Sequence, residues 1–214
     1  MKSLLTLLLS SILCVTAYAQ TDQRLEQFLA MFSDSNVLMD ISYTVTLKNA
    51  PAVLNQGTLK GNASLSIQGN MYAMDGSGLV IKCDGASVQI EDTSAKEVIY
   101  EPVCNDVRDG GYLMNPTMLF NKLDDVFRLD RVTSDNLSDI YLLVSREQCG
   151  IENCRLDFNM TSGKLTYAEF LMSDGNVVKV NVSSFKVASP APESEFVLQL
   201  PSAYGADWVV TDLR

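Results

Sequence analysis

The chain contains no histidine and only one tryptophan among its 214 residues. Without histidine, the Ser–His and Cys–His pairs that activate nucleophiles cannot form, and most transition-metal sites lose a common ligand. Carboxylates are plentiful, but those such as Asp84 and Asp174 lie in predicted turns, where turn formation and solubility account for them. We therefore expect no enzymatic activity, no metal and no cofactor, with a pair of acidic residues in acid–base catalysis as the remaining alternative.

Positive charge is scarce as well. The sequence has 16 Lys and Arg against 26 Asp and Glu, which gives a formal net charge of −10. An acidic chain is a poor partner for nucleic acids and for anionic membrane surfaces, so both are excluded as expected ligands.

Long apolar runs are absent except at the N-terminus. A basic residue at Lys2 precedes the apolar run Leu4–Val15, and small residues follow it. This pattern predicts a cleaved secretory signal peptide over residues 1–19, too short to span a membrane. The rest, residues 20–214, has the length of one large β domain, expected to be an exported monomer without stable membrane insertion.

Cysteines are few, and four of the five lie in the predicted mature domain. An even number of cysteines in an exported protein favours structural disulfides over metal ligands. We predict pairing between neighbours in sequence, Cys83 with Cys104 and Cys149 with Cys154, with free thiols as the alternative. Attachment of lipid at Cys14 is less favoured, because Leu13 stands where a lipoprotein signal has a small residue.

What the sequence does have is alternation of polar and apolar residues. In "QGTLKGNASLSIQGN", residues 56–70, one row reads Leu59, Gly61, Ala63, Leu65 and Ile67, and the other row is polar. A period of two predicts a strand with one buried and one solvated face. The apolar row becomes small at its centre, which leaves a space that either a bound molecule or aromatic residues of a covering helix could fill.

Two stretches have helical spacing instead. In "TDQRLEQFLAMFSDS", Leu25, Phe28, Leu29 and Phe32 form one apolar face. "NPTMLFNKLDDVFRL", from position 115 to 129, begins with an Asn-Pro pair typical of a helix start.

The remaining sequence predicts ten or eleven short strands joined by turns, including "EFVLQL" at 195–200, with a bulge near Ser183 and Ser184. The predicted fold class is α+β. It consists of a strongly curved antiparallel sheet that forms an incomplete, half-open β-barrel with a helical lid.

Several of these segments, taken in order, resemble one known family. The leading helix, "SLSIQGNMYAM", "GLVIKCDGASVQIED", "NPTMLF" and the ending "WVVTDLR" resemble the LolA-type periplasmic carriers of outer-membrane lipoproteins, in a divergent branch that ends in V-x-D-L-R. The resemblance covers nearly the whole predicted mature chain, and the order of the segments carries it rather than any single motif.

The resemblance implies a periplasmic chaperone that binds the acyl chains of lipoproteins and carries them from the inner to the outer membrane. Its implied partners are acylated lipoproteins, an inner-membrane lipoprotein-releasing transporter and an outer-membrane acceptor. Such carriers often have a basic residue near the segment "QGNMYAM" that helps to close the lid, and none lies between Gln68 and Ala73 here. The alternatives are an exported adaptor that senses lipid or peptide with the same half-barrel, and a purely structural β domain.

The predicted acyl-chain cavity combines strand residues of one parity with residues of both helices. Its predicted lining is Phe28, Phe32, Tyr43, Val45, Leu59, Gly61, Ala63, Leu65, Ile67, Leu79, Ile81, Val88, Ile90, Met114, Met118, Leu119 and Phe127.

Overall fold

The protein is described here by a computed structural model that covers residues 23–33, 35–48, 57–103, 123–146 and 150–214. Several predictions lie outside these residues: the signal peptide, Cys104 and Cys149, and Met114, Met118 and Leu119 of the second predicted helix. Within the described ranges, no helix combines the length and the apolar character that crossing a bilayer requires.

Strands dominate the described part of the chain. Helix α1 covers residues 23–33, and α2 is a single turn at Leu123–Val126. The strands are β1 (Asn36–Thr46), β2 (Thr58–Gln68), β3 (Met71–Gly76), β4 (Leu79–Cys83), β5 (Ser87–Asp92), β6 (Glu97–Pro102), β7 (Phe127–Ser134), β8 (Ser138–Ser145), β9 (Ile151–Asn159), β10 (Leu165–Met172), β11 (Val177–Ala188) and β12 (Val209–Asp212).

All twelve strands belong to one sheet, in the order β12-β6-β5-β4-β3-β2-β1-β11-β10-β9-β8-β7. Two antiparallel meanders, β1 to β6 and β7 to β11, meet where β1 pairs with β11. The chain then returns across the sheet, and β12 pairs parallel to β6. Because β12 and β7 stand at opposite ends of the order, the sheet is open. The predicted large antiparallel sheet, left open and carrying a helix, is confirmed in this coarse form.

The register of the strands separates the two faces of the sheet. Directly paired residues lie on the same face, and one paired row runs Phe185, Met39, Leu65, Met74, Ile81, Ile90 and Ile99 from β11 to β6. Phe28 of α1 contacts the ring of Phe185, so α1 packs against this face. We call it the helix face.

Residues 189–208 cross the opposite side of the sheet, and we call this segment the strap and that side the strap face. The side chain of Gln89 accepts a hydrogen bond of 2.6 Å from the backbone N–H of Leu198, and the hydroxyl of Tyr100 donates one of 2.6 Å to the carbonyl of Gln199. Phe196, a residue of the strap itself, is fully buried. These contacts fasten the return crossing to β5 and β6.

The strap corrects one predicted strand. Residues 193–196 form a 3₁₀ turn, and the segment from 195 to 200 pairs with no neighbouring strand in the described structure. Its alternation is real, but it reflects an extended chain that packs over a sheet face. Side chains still alternate in such a chain, while its backbone bonds to side chains rather than to a ladder.

The second predicted helix also ends earlier than expected. It ends at Val126, and Phe127 starts strand β7, although the helical spacing of the sequence places Phe127 in the helix. The pairing of Phe127 with Ser145 and of Leu129 with Leu143 draws this segment into the sheet edge. The predicted bulge is confirmed, because Asp40 pairs with Ser184 and Ile41 with Val182, which leaves Ser183 between them.

The cysteines correct the predicted disulfides. Cys83 and Cys154 are free thiols, and both are buried on the helix face, while their predicted partners lie outside the described residues. Burial raises the pKa of each thiol, which keeps both protonated and unreactive. The prediction treated sequence proximity as the guide, whereas these side chains point into the packed core and behave as small apolar residues.

Candidate functional site

The candidate site is the helix face, which has a packed part and a more open part. The packed part is centred on Phe28, which is 2% exposed. Its ring lies edge-on to Phe32 and Phe158, with centroids 5.2 and 4.8 Å apart, and 6.0 Å from the ring of Phe185. Such edge-to-face pairs add to the apolar burial that holds α1 on the sheet.

Both ends of α1 are fastened by polar contacts. Near its start, the guanidinium of Arg24 pairs with the carboxylate of Asp139 on β8, which also accepts a 2.7 Å hydrogen bond from the hydroxyl of Ser134. Near its end, the carbonyl of Phe32 accepts a 2.6 Å hydrogen bond from the backbone N–H of Gly69, in the turn between β2 and β3. The helix is thus held at two points as well as by its aromatic face.

The sequence has no Lys or Arg between Gln68 and Ala73, where carriers of the resembled family often have a basic residue. The Arg24–Asp139 pair lies elsewhere on the sheet. Gln68, which flanks the segment without Lys or Arg, bonds to the strap instead, accepting 2.7 Å from the N–H of Ala191 and donating 3.2 Å to its carbonyl. Among the described residues, Arg24 of the helix and Asp139 of the sheet form a charged contact between the two.

Burial on the helix face falls with distance from α1. Met39 and Phe185 are buried, whereas Leu65, Ile81 and Ile90 further along the same row are only partly buried. Leu59, near the far end of β2, is 47% exposed. The partly exposed part of this face, which we call the open apolar surface, consists of Val45, Leu59, Leu65, Met74, Leu79, Ile81, Ile90 and Ile99.

The structure brings the described members of the predicted cavity to this one face. Of the predicted lining, Phe28, Phe32, Ala63, Ile67, Val88 and Phe127 are buried, while Tyr43, Val45, Leu59, Gly61, Leu65, Leu79, Ile81 and Ile90 are partly or well exposed. The first group packs the core, so the second group, apart from Gly61, is the better candidate for contact with a ligand.

The space beside Gly61 is occupied by the protein itself. A methyl group at Gly61 would lie 2.4 Å from Oη and 2.5 Å from Cζ of Tyr43, its partner on β1. The sequence suggested that a bound molecule or the helix aromatics Phe28 and Phe32 would fill this space. It is the neighbouring strand's tyrosine that fills it, which overturns both expectations at this position.

A cavity of about 330 Å³ opens between α1 and the edge strands β7 and β8. This volume is at the lower end of the range of about 300–1,000 Å³ that small-molecule sites occupy. Its lining residues are Leu25, Glu26, Leu123, Phe127, Arg128, Leu129, Leu143 and Arg146. It is an apolar recess with charged residues among its walls.

A larger groove of about 390 Å³ lies across β11, β1, β2, β3 and β4 on the other side of the sheet. Its side chains include Leu38, Val80, Lys82 and Lys186, which the register places on the strap face. The sheet itself therefore separates this groove from the helix face.

Sequence reasoning missed the β7–β11 half of the helix face. Tyr141, Leu143, Leu156 and Phe158 are all buried against α1 or its neighbours. Their signal was available, because "CRLDFNM" alternates clearly and "DIYLLVS" contains a short apolar run of the kind that buried strands have. The Arg24–Asp139 contact had no such signal, since 115 positions separate its partners.

No protein-family model and no curated protein matches this sequence. Among solved structures, an uncharacterized conserved protein from Thermus thermophilus is similar over 90% of this chain and 99% of its own, with 12% identity and a TM-score of 0.53. This likeness shows a shared fold. A LolA superfamily protein from Nitrosomonas europaea matches over 83% of this chain and 97% of its own, at 13% identity and a TM-score of 0.44. An outer membrane lipoprotein-sorting protein domain from Vibrio parahaemolyticus matches over 80% of this chain and 94% of its own, at 12% identity and a TM-score of 0.43.

Proposed function

We propose that this protein is a non-enzymatic periplasmic carrier that binds the acyl chains of lipoproteins on its helix face and moves them from the inner to the outer membrane. The observation that carries the proposal is that this face has one part covered by a helix and a neighbouring apolar part that is partly exposed. Helix α1 covers one part with aromatic side chains, and the open apolar surface continues from it with partly exposed Leu, Ile and Val side chains. The order of sequence segments that resembles the LolA-type carriers supports the same function.

The energetics of acyl chains restrict how such a carrier can work. Burial of one methylene contributes about 0.8 kcal/mol, so a 16-carbon chain gains about 12 kcal/mol on leaving water. That corresponds to a dissociation constant of about 1 nM for a single chain, and two or three chains would be held almost permanently. A carrier must therefore offset much of this gain in order to release its load.

In the proposed mechanism α1 is the lid of a half-barrel and provides that offset. To admit a chain beneath it, the helix must give up the ring contacts of Phe28 and Phe32 and the charged contact of Arg24 with Asp139. The cost of those contacts lowers the net affinity. When the helix returns to the sheet, it displaces the chain, ideally into an apolar site on an acceptor so that the chain never meets water.

Locking α1 to the sheet tests the mechanism directly. Arg24→Cys and Asp139→Cys, in a chain with Cys104→Ser and Cys149→Ser, place two reactive thiols at a contact that the structure forms. A short bismaleimide should join them and abolish binding of an acylated peptide measured by fluorescence anisotropy. Each single variant treated with the same reagent is the matched control and should bind normally. Undiminished binding by the cross-linked protein would refute a moving lid.

Native mass spectrometry of protein purified from a periplasmic extract tests the ligand class. Bound acylated peptide or lipoprotein supports the carrier, whereas bound free lipid alone would favour a lipid-sensing adaptor. A mass that corresponds to the empty chain in every preparation, together with no binding of added acylated peptide, would contradict the proposal and favour a structural domain.

A further inference from the structure

The two edges of the open sheet are protected to different degrees. Edge strand β7 carries the charged residues Arg128, Asp130 and Arg131, and its pairing with β8 shifts register at Asp130. Charges and a bulge of this kind keep an edge strand from pairing with another chain. Edge strand β12 pairs with β6 without a register shift, and its sequence Val-Val-Thr-Asp has a charge at Asp212 alone. It is therefore the edge at which a further strand can add more easily.

The backbone of β12 presents hydrogen-bonding groups away from the sheet. The N–H groups of Val209 and Leu213 donate hydrogen bonds of 2.9 and 2.8 Å toward β6. Because successive residues of a strand direct their backbone groups to opposite sides, those of Val210 and Asp212 point away from β6. Within the described ranges, no other strand pairs with β12 on that side. An extended chain placed there would find both donors and acceptors.

The open apolar surface leads to this edge. Its row from Leu65 on β2 to Ile99 on β6 crosses four strand spacings of about 4.8 Å, or about 19 Å along the sheet, which is close to the length of an extended 16-carbon chain. Thr211 of β12 pairs with Ile99 and ends the row, and Val209 on the same face is 59% exposed. Since burial decreases along this row away from α1, an acyl chain on it would have its methyl end near α1 and its polar end at β12.

The length of β12 restricts what can add to it. Four residues of strand span about 13 Å, whereas a stable interface between two proteins buries about 1,200–2,000 Å². Pairing through β12 alone is therefore too small to hold a second copy of this chain. It is sufficient for a segment that an attached acyl chain already keeps nearby, because such tethering gives effective concentrations in the millimolar range.

We propose that β12 binds, as an added strand, the extended polypeptide segment that directly follows the acyl chains of a bound lipoprotein. The backbone of that segment bonds to the outward groups of Val210 and Asp212, and one of its apolar side chains packs on Val209. The inference rests on the proposed function, because it assumes that acyl chains bind on the helix face. It goes further by assigning a separate site to the polypeptide part of the load.

The test uses three probes that share one short peptide sequence: the peptide with an N-terminal palmitoyl chain, the same lipopeptide with methylated backbone nitrogens, and the peptide without the acyl chain. Isothermal titration calorimetry should show that the wild-type protein binds the first about tenfold more tightly than the second, since methylation removes the N–H donors and keeps the acyl chain. The peptide without an acyl chain should bind at least about 100-fold more weakly than the lipopeptide.

Two variants of Val210 separate the backbone from the side chain. Val210→Pro removes an N–H that faces away from β6, a position at which edge strands tolerate proline, and should abolish the preference for the unmethylated lipopeptide. Val210→Thr is the matched control, because it keeps the N–H and the β-branched shape, and it should retain the preference. In the wild-type protein, bound lipopeptide should slow amide exchange at Val210 and Asp212 several-fold, measured by nuclear magnetic resonance. Exchange at Val209 and Leu213, which already donate toward β6, should change much less.

The outcomes separate this inference from the proposed function. Equal binding of the two lipopeptides, or unchanged exchange at Val210 and Asp212, would overturn the added strand and leave the carrier intact. Failure of both lipopeptides to bind would overturn both proposals. Tight binding of the peptide without its acyl chain would contradict the tethered segment, and a dimer that Val210→Pro abolishes would assign the edge to a second copy instead. If Val210→Pro fails to fold, the methylated lipopeptide and the exchange pattern of the wild-type protein decide the question.

Discussion

The docking of α1 through Phe28 leads to the most informative prediction. Replacing a buried phenylalanine by alanine costs about 3–5 kcal/mol, and each edge-to-face ring contact contributes about 0.5–1.5 kcal/mol of that. Within the described part of the chain Phe28 makes such contacts with Phe32 and Phe158, and it is 2% exposed. If α1 can leave the sheet without unfolding the strands, this cost falls on the docking of the helix alone.

Phe28→Ala should therefore loosen α1 selectively. A loss of about 3 kcal/mol multiplies the undocked population by about 100-fold, since each 1.4 kcal/mol is a factor of ten. Amide hydrogen exchange, followed by mass spectrometry, should accelerate by that factor in peptides that cover residues 23–33. Exchange in β9 and β10 should change much less, because those strands keep their ladder hydrogen bonds.

Phe196→Ala is the matched control. Phe196 is also a fully buried phenylalanine, but it belongs to the strap, on the other side of the sheet. It should lower global stability in urea while leaving exchange in residues 23–33 close to the wild-type rate. Equal acceleration of α1 in both variants, or none in Phe28→Ala, would refute the idea that the helix docks as a separate unit.

Three further predictions follow from single contacts. Arg24→Gln and Asp139→Asn should each weaken docking of α1. The loss should be only about 1 kcal/mol, because the arginine is 41% exposed and solvent screens the pair. A double variant whose loss equals the sum of the two single losses would contradict a direct contact. Gly61→Ala should destabilise the protein by about 1–3 kcal/mol in urea unfolding, since its methyl group overlaps the Tyr43 ring, and Tyr43→Ala should relieve the loss; no relief would place the strain elsewhere. Asp84→Asn should be less stable than the wild type at pH 7, and this difference in stability should shrink as the pH falls through about 4. A difference that stays constant with pH would contradict stabilisation by the ionised carboxylate.

The sign of the Asp84 prediction follows from its surroundings. Burial by itself raises the pKa of this carboxyl, but hydrogen bonds from the N–H groups of Ser87 and Ala86 and from the Ser87 hydroxyl outweigh it. The pKa in the folded protein is therefore below the ordinary 3.8. A lowered folded pKa stabilises the protein above the unfolded value, and that contribution disappears as acid protonates the group.

Local sequence patterns were reliable where one face of an element meets the core and the other meets water. The alternation in 56–70 predicted β2 and its face, and the helical spacing of Leu25, Phe28 and Phe32 predicted α1. The patterns failed where a contact depends on a distant partner. Phe127 has the spacing of a helix, yet pairing with Ser145 makes it the first residue of a strand.

In the candidate site, too, the sequence predicted some features and not others. The alternation in β2, β4 and β5 placed Leu65, Ile81 and Ile90 on the correct face. The turns and the apolar row together fix the strand register, and a slip of one residue would move the apolar side chains to the solvated face. The occupant of the space beside Gly61 was not predictable, since it is the ring of Tyr43, which depends on the rotamer of a residue on another strand. The cavity between α1 and β7–β8 also needs the packed structure, because its walls come from α1, α2, β7 and β8.

By itself, the sequence determined the acidic charge, the absence of histidine chemistry, the strand periodicity and the amphipathic leading helix, since each of these depends on composition or on neighbours within a few positions. Tertiary structure alone decided that β1 joins two meanders through β11, that the strap closes over β5 and β6, and that Cys83 and Cys154 stay unpaired. It also decided that Arg24 meets Asp139 across 115 positions. The physical reason is that side-chain periodicity encodes which face of an element is apolar. Which two faces meet depends instead on the packing of the whole sheet, where burial, register and charge must be satisfied together.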